Sequence, residues 1–174
     1  MSTLTSNTTS LPLIGILGDG QLAMMMTQAY QAMGGKTAVF AEQPDGPASQ
    51  VADKLVIGNS HRIEDLIKFF NEVDIVTLEN EFIDSKLLID AETYSNTEVA
   101  PSPARYQLIE DKLSENLFFT DLGINIAEFF EVKSAEDLIE THGYLKLAKG
   151  GYDGIGTYRV DTKNHSTEVF ERIK

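Results

Sequence analysis

The segment Lys146-Leu-Ala-Lys-Gly-Gly-Tyr-Asp-Gly-Ile-Gly156 sets Lys146 and Lys149 just before four glycines spread over seven positions. Gly150, Gly151, Gly154 and Gly156 have no Cβ, so their amides are bare and positive φ is open to them. Such a loop folds closely over an anion, and a lysine leaving the preceding strand adds a point charge suited to phosphate. A glycine-rich hairpin with solvated lysines is the plainer reading. A second glycine turn, Gly18-Asp-Gly-Gln-Leu22, lies near the N-terminus. Two anion-ready loops in one small chain suggest a nucleotide and a second phosphorylated ligand.

The N-terminal turn follows an apolar strand and opens a helix, the context of a dinucleotide fingerprint, with Ala23 at its third small position. Glu42 then falls where a ribose-binding acid would sit, as in a nicotinamide-linked Rossmann protein. Two other readings stand beside that one. The glycines can simply tighten a strand-to-helix turn, or the helix amides at Gly20, Gln21 and Leu22 can hold a single phosphate. Thr77-Leu-Glu-Asn-Glu81 ends a further strand with Glu79 and Glu81 at i and i+2. Beyond the carboxyl end of a strand they would accept hydrogen bonds from an amine or ribose hydroxyls; otherwise they are solvated loop charges. Lys112 alone reads as an exposed helical residue paired with nearby acids. His61, His142 and His165 are far apart, show no metal-ligand spacing and are assigned no chemistry. Met24, Met25 and Met26 read as core filling.

Short apolar runs alternating with amphipathic stretches must position these groups. Strands are expected at Leu13–Leu17, Thr37–Phe40, Lys54–Ile57, Val73–Thr77 and Val99–Ala100, with helices at Gln21–Met33, Ile63–Phe70 (capped by Ser60) and Ser85–Tyr94 between them. That alternation builds a doubly wound parallel sheet. Pro101-Ser-Pro103 continues neither element type and marks a boundary. After it come a helix over Ala104–Leu122, a strand at Ala127–Val132, a helix at Ala135–Thr141 capped by Ser134, strands at Tyr144–Leu147 and Thr157–Val160 around the glycine loop, and a last helical stretch. The expected domains are therefore a disordered tail over 1–12, a Rossmann-like α/β domain over 13–100 and an α+β part over 101–174.

Composition narrows the partners. With 14 basic and 27 acidic residues among 174, the net charge of −13 disfavours nucleic acid and anionic membranes. Any phosphate site must then be built locally from amides and a few lysines. The chain has no cysteine, which excludes disulfides and thiolate metal sites. Without a secretory signal or an apolar run long enough for a bilayer, a cytoplasmic location is expected.

Several of these pieces together resemble the ATP-grasp carboxyaminoimidazole ribonucleotide synthases of purine biosynthesis. They are Ile14-Gly-Ile-Leu-Gly-Asp-Gly-Gln-Leu22, Ala48-Ser-Gln-Val-Ala-Asp53, Thr77 to Glu81, Pro101-Ser-Pro103, Asp111-Lys112, and Leu145-Lys146 leading into Gly150-Gly-Tyr-Asp-Gly154. The resemblance runs from about Leu13 to Val160. It implies a pre-ATP-grasp Rossmann-like domain followed by the first part of an ATP-grasp α+β domain. It further implies carboxylation of aminoimidazole ribonucleotide by bicarbonate, with ATP hydrolysed through carboxyphosphate and Mg²⁺ bridging the phosphates.

By that resemblance Lys112 and Lys146 contact ATP, and Gly150, Gly151, Tyr152, Asp153, Gly154, Gly156 and Thr157 cover its phosphates. Gly20, Gln21 and Leu22, with Glu79 and Glu81, face the nucleotide substrate. The chain departs from the family pattern at Asp19, Ala23, Asn80, Phe82, Ile155 and Thr157. Ile155 stands where the family has a basic residue, and Asp19 puts a carboxylate where the family has glycine. The second half of the clamp and its acidic Mg²⁺ ligands are expected beyond Lys174, which implies that these residues alone are inactive. A homodimer is possible for the full-length enzyme. A non-catalytic nucleotide-binding protein is the alternative.

Overall fold

The computed structural model describes residues 10–80, 83–138, 142–151 and 154–173. Five strands form a parallel sheet: β1 (Leu13–Leu17), β2 (Lys36–Ala41), β3 (Lys54–Ile57), β4 (Ile75–Leu78) and β5 (Glu98–Val99), in the order β3-β2-β1-β4-β5. Apolar runs of this length bury both faces of a parallel sheet, and helices α1 (Gln21–Ala32), α2 (Ile63–Phe70) and α3 (Ser85–Ser95) supply the cover. Alternation along β1 and β2 divides the core. Leu17 and Phe40 join Leu66, Phe69, Phe70 and Leu88 in one cluster, while Ile16 and Val39 join Ala23 and Ala48 in the other. Among the expected core-filling methionines, Met24 and Met26 pack against the second cluster, whereas Met25 is exposed.

Gly15 in the central strand makes the first cluster possible. A Cβ built there would lie 2.9 Å from both the Phe69 ring and a Val73 methyl. The space a side chain would occupy is filled by Phe69, which is fully buried and packs at a tilt against Phe40, 5.3 Å between ring centroids.

Two expectations for this unit are corrected. Ser60 does not cap α2: Arg62 precedes the helix without a side-chain cap, and the Ser60 hydroxyl instead donates to Glu42 at 2.8 Å. Of the expected tail, residues 1–9 lie outside the described residues, and the Pro12 carbonyl is tied into the fold by the Tyr30 hydroxyl at 2.8 Å.

The chain divides into two compact units between Tyr106 and Gln107. The division follows Pro101-Ser-Pro103 because Tyr106, on α4 (Pro103–Ile109), still packs against the core of the parallel sheet. The long helix expected here is broken. Asp111 takes an extended backbone and its carboxylate accepts the Ser114 amide at 2.9 Å, which starts a new helix, α5 (Lys112–Asp121).

In the second unit β6 (Gly143–Lys146) and β7 (Thr157–Val160) form an antiparallel pair, followed by α6 (Lys163–Ile173). The strand expected over Ala127–Val132 is not formed: the segment is irregular and joins neither edge of the β6–β7 pair. The helix expected over Ala135–Thr141 is a single 3₁₀ turn, Ala135–Asp137, within the described residues; Leu138 is already extended, and Ile139 to Thr141 lie outside them. The Asp137 carboxylate closes this turn by accepting the amides of Ser134 at 2.7 Å and Lys133 at 2.8 Å, which hold it below the usual aspartate range. No helix among the described residues is long and apolar enough to cross a membrane.

Two measurements test this packing. Gly15→Ala is expected to cost about 1–3 kcal/mol by forcing Phe69 and Val73 apart, read as a lower urea midpoint at unchanged slope. The second concerns Asp53, whose carboxylate accepts the Thr37 amide at 2.9 Å and the Gln31 amide group at 3.2 Å; these bonds hold it below its ordinary value. A depressed carboxylate contributes stability that is complete above its unfolded pKa and is lost as pH falls through the folded one. Asp53→Asn should therefore narrow the stability difference between pH 7 and acidic solution, and an unchanged difference would reject this role.

Candidate functional site

The glycine turn after β1 is built around a carboxylate. Parallel pairing sets β4 beside β1, and the Glu79 amide continues that ladder by donating to the Leu17 carbonyl at 3.0 Å. Glu79 is thereby placed at the carboxyl end of the sheet, where its Oε2 accepts the Gly20 amide at 2.8 Å. A Cβ at Gly18, whose φ is +120°, or at Gly20 would overlap this carboxylate. Of the expected substrate-facing residues, Gly20, Gln21, Leu22 and Glu79 therefore come together at the start of α1. The Gly20 amide is engaged by Glu79, and the first turn of α1 has no side-chain cap. Leu22 is exposed; Glu81 lies outside the described residues.

Asp19, between the two glycines, turns away from Glu79. Its carboxylate accepts the Ser49 amide at 2.5 Å and the Ser49 hydroxyl at 2.6 Å, and its carbonyl accepts the Ala48 amide at 3.3 Å. The chain passes so closely that a Cβ at Gly46 would overlap both the carboxylate and the carbonyl of Asp19. The sequence signal for this role of Asp19 is an acid inside a turn that otherwise has no side chains. Glu42 is held by the Ser60 hydroxyl and, more loosely, by the Ser60 amide at 3.4 Å.

The second glycine loop closes a separate site in the second unit. β6 and β7 pair Lys146 with Thr157, so these two side chains leave the same face, and the ladder continues through the Leu147 amide and Gly156 carbonyl at 2.8 Å. Gly154 and Gly156 have φ of +84° and +75°, and a Cβ at Gly156 would press on Leu147. Lys112, Lys146, Leu147, Gly151, Gly154, Ile155, Gly156 and Thr157 line a cavity of about 200 Å³. That is smaller than the roughly 300–1,000 Å³ of a site enclosing a drug-sized ligand, and suits part of a polyphosphate. Lys146 is exposed and forms no ion pair among the described residues, whereas Lys112 lies 3.5 Å from Glu115. Gly150 belongs to the loop but is absent from the lining, and Tyr152 and Asp153 lie outside the described residues. Ile155, 54% exposed, puts an apolar side chain at the rim. The described residues contain no group of three His, Cys, Asp or Glu able to hold a metal ion.

A five-stranded parallel sheet whose glycine turn is filled by an acid following the neighbouring strand is the architecture of a pre-ATP-grasp domain. The sequence matches the ribonucleotide synthetase pre-ATP-grasp domain over residues 11–110, and the chain belongs to that family. More particularly, it is 33% identical over 171 residues to the N5-carboxyaminoimidazole ribonucleotide synthase of Mycobacterium leprae, an alignment covering 91% of this chain and 39% of that one. Among crystal structures, the Staphylococcus aureus N5-carboxyaminoimidazole synthetase complexed with ADP superposes with a TM-score of 0.82 at 28% identity, covering 93% of this chain and 44% of that one. The carboxyaminoimidazole ribonucleotide synthase of Aspergillus clavatus complexed with ATP gives 0.83 at 26% identity, covering 94% and 44%. The chain thus spans about two fifths of the length of the relatives it matches.

Asp19→Ala removes the acceptor of both Ser49 bonds. The loss should cost about 1–3 kcal/mol in chemical denaturation, with Asp19→Asn recovering part of it. Equal stability of all three proteins would show that the Asp19–Ser49 contact holds nothing.

Proposed function

We propose that this chain carries the substrate-facing and part of the ATP-facing surface of an N5-carboxyaminoimidazole ribonucleotide synthase. The complete reaction would be ATP-dependent carboxylation of 5-aminoimidazole ribonucleotide by bicarbonate. The reading rests on one observation above all: Lys112 and Lys146 line the same cavity as the bare backbone of Gly151, Gly154 and Gly156. In a protein of net charge −13, that is a local exception suited to a polyphosphate. The relatives crystallised with ADP and ATP support the same assignment.

In this reading Lys146 and Lys112 offset phosphate charge, and the loop from Gly150 to Thr157, with Tyr152 and Asp153, covers the phosphates. Glu79, oriented by the Gly20 amide, accepts hydrogen bonds from the amine or ribose hydroxyls of the imidazole nucleotide, and Glu81 stands beside it. The amides of Gln21 and Leu22, rather than that of Gly20, are left for the 5′-phosphate. Mg²⁺ would supply neutralising positive charge to the phosphates, but no group of carboxylates or imidazoles among the described residues fits it. A cytoplasmic location fits a purine-synthesis role, and the full-length enzyme is the form in which a homodimer would arise.

The 174-residue chain should bind ATP, and Lys146→Met should weaken that binding about tenfold, the worth of one charge-assisted contact. Calorimetry with ATP and with NAD decides the ligand class. Binding of NAD in place of ATP would overturn the proposal in favour of a nicotinamide-linked protein. With ATP, aminoimidazole ribonucleotide and bicarbonate together, these 174 residues alone should release no phosphate, and steady turnover would overturn that expectation.

A further inference from the structure

Lys112 and Lys146 reach one cavity from two different elements, and no fully buried side chain anchors the element carrying Lys112. Helix α5 half-buries Leu113 and Phe119 and leaves Leu117 and Phe118 exposed. Its place beside the hairpin is also set by polar bonds between adjacent pairs of residues. The Lys112 amide is one of the N-terminal donors that a helix leaves without an internal acceptor, and it donates to the Ala148 carbonyl at 2.8 Å. Next along the chain, the Lys149 ammonium donates to Glu110 Oε1 at 2.9 Å, where the Glu110 side chain is only 15% exposed. Residues 110–112 therefore grip residues 148–149, immediately before the glycine loop.

From this we infer that Glu110 is a positioning residue: through Lys149 it holds α5 against the base of the hairpin and keeps Lys112 opposite Lys146. Glu110 is not among the residues lining the cavity. Its effect on a bound anion is indirect, and its sign separates two mechanisms. Acting only through its charge, Glu110 would repel the anion, and its neutralisation would tighten binding. Acting as a staple, its neutralisation lets the two lysines separate and weakens binding.

The test uses Glu110→Gln in the full 174-residue chain with two readouts. The first needs no ligand and follows hydrogen exchange at the Lys112 amide, the proton shared with Ala148. Exchange should quicken about threefold or more, the scale of a partly exposed ion pair. Lys149→Met should do the same from the other side, and the exchanged pair Glu110→Lys with Lys149→Glu should restore protection. The second readout is affinity for ATP and for inorganic tripolyphosphate, expected to fall in Glu110→Gln by a similar factor. Unchanged exchange in the folded variant would overturn the inference, as would unchanged or tighter anion binding. The affinity arm rests on the cavity being a polyphosphate site. If the unmodified chain binds neither anion, that reading fails, while exchange at Lys112 still decides the role of Glu110.

Discussion

A carboxylate can rest on the first turn of α1 only because positions 18 and 20 have no side chains. Glu79 fills that room and accepts the Gly20 amide, so one contact joins the ends of β1 and β4 at the centre of the sheet. The rest of the first unit works to keep this geometry. Gly15 lets Phe69 support β1 from below, and the parallel register carries Glu79 to its place. On the other side Asp19 pins the segment through Ser49. The turn therefore presents a fixed acceptor at the sheet's carboxyl end, where open α/β sheets bind ligands. It is less an empty phosphate nest than a positioned acid with helix amides beside it.

The second unit is organised differently. Its buried apolar residues, Leu138, Val160 and Val169, gather around β7 and α6, while α5 contributes no fully buried side chain. Order near the glycine loop comes from polar contacts: the continued ladder at Leu147 and Gly156, and the staple from residues 110–112. Such a site can shift with a small change in free energy, since few buried contacts must be broken. Loops that close over a ligand are drawn from regions of this kind.

How far the sequence foretold all this depended on whether the deciding contact was local. The apolar runs placed the five parallel strands and their helices closely, because a strand buried on both faces has little compositional freedom. Ser60 was misread as a cap because its hydroxyl has a competing partner, Glu42, eighteen residues away. Ala127–Val132 has a strand's composition, but a strand exists only with a partner, and composition cannot supply one. The break at Asp111 was written locally, in an acid able to cap the Ser114 amide, and was overlooked within a continuous helical pattern. For the sites, the residue types pointed to acid and anion chemistry at both glycine segments. That the Gly20 amide already belonged to Glu79, fifty-nine residues on, required the strand order.

Asp19 and Gly46 interlock closely enough to behave as one position. An acid at 19 leaves no volume at 46, and a side chain at 46 leaves none for the acid. A side chain at 46 is thus barred twice, by the carboxylate and by the backbone carbonyl of residue 19. Replacing the acid alone would therefore not free position 46, because the carbonyl of residue 19 belongs to the backbone and stays in the way whatever side chain stands there.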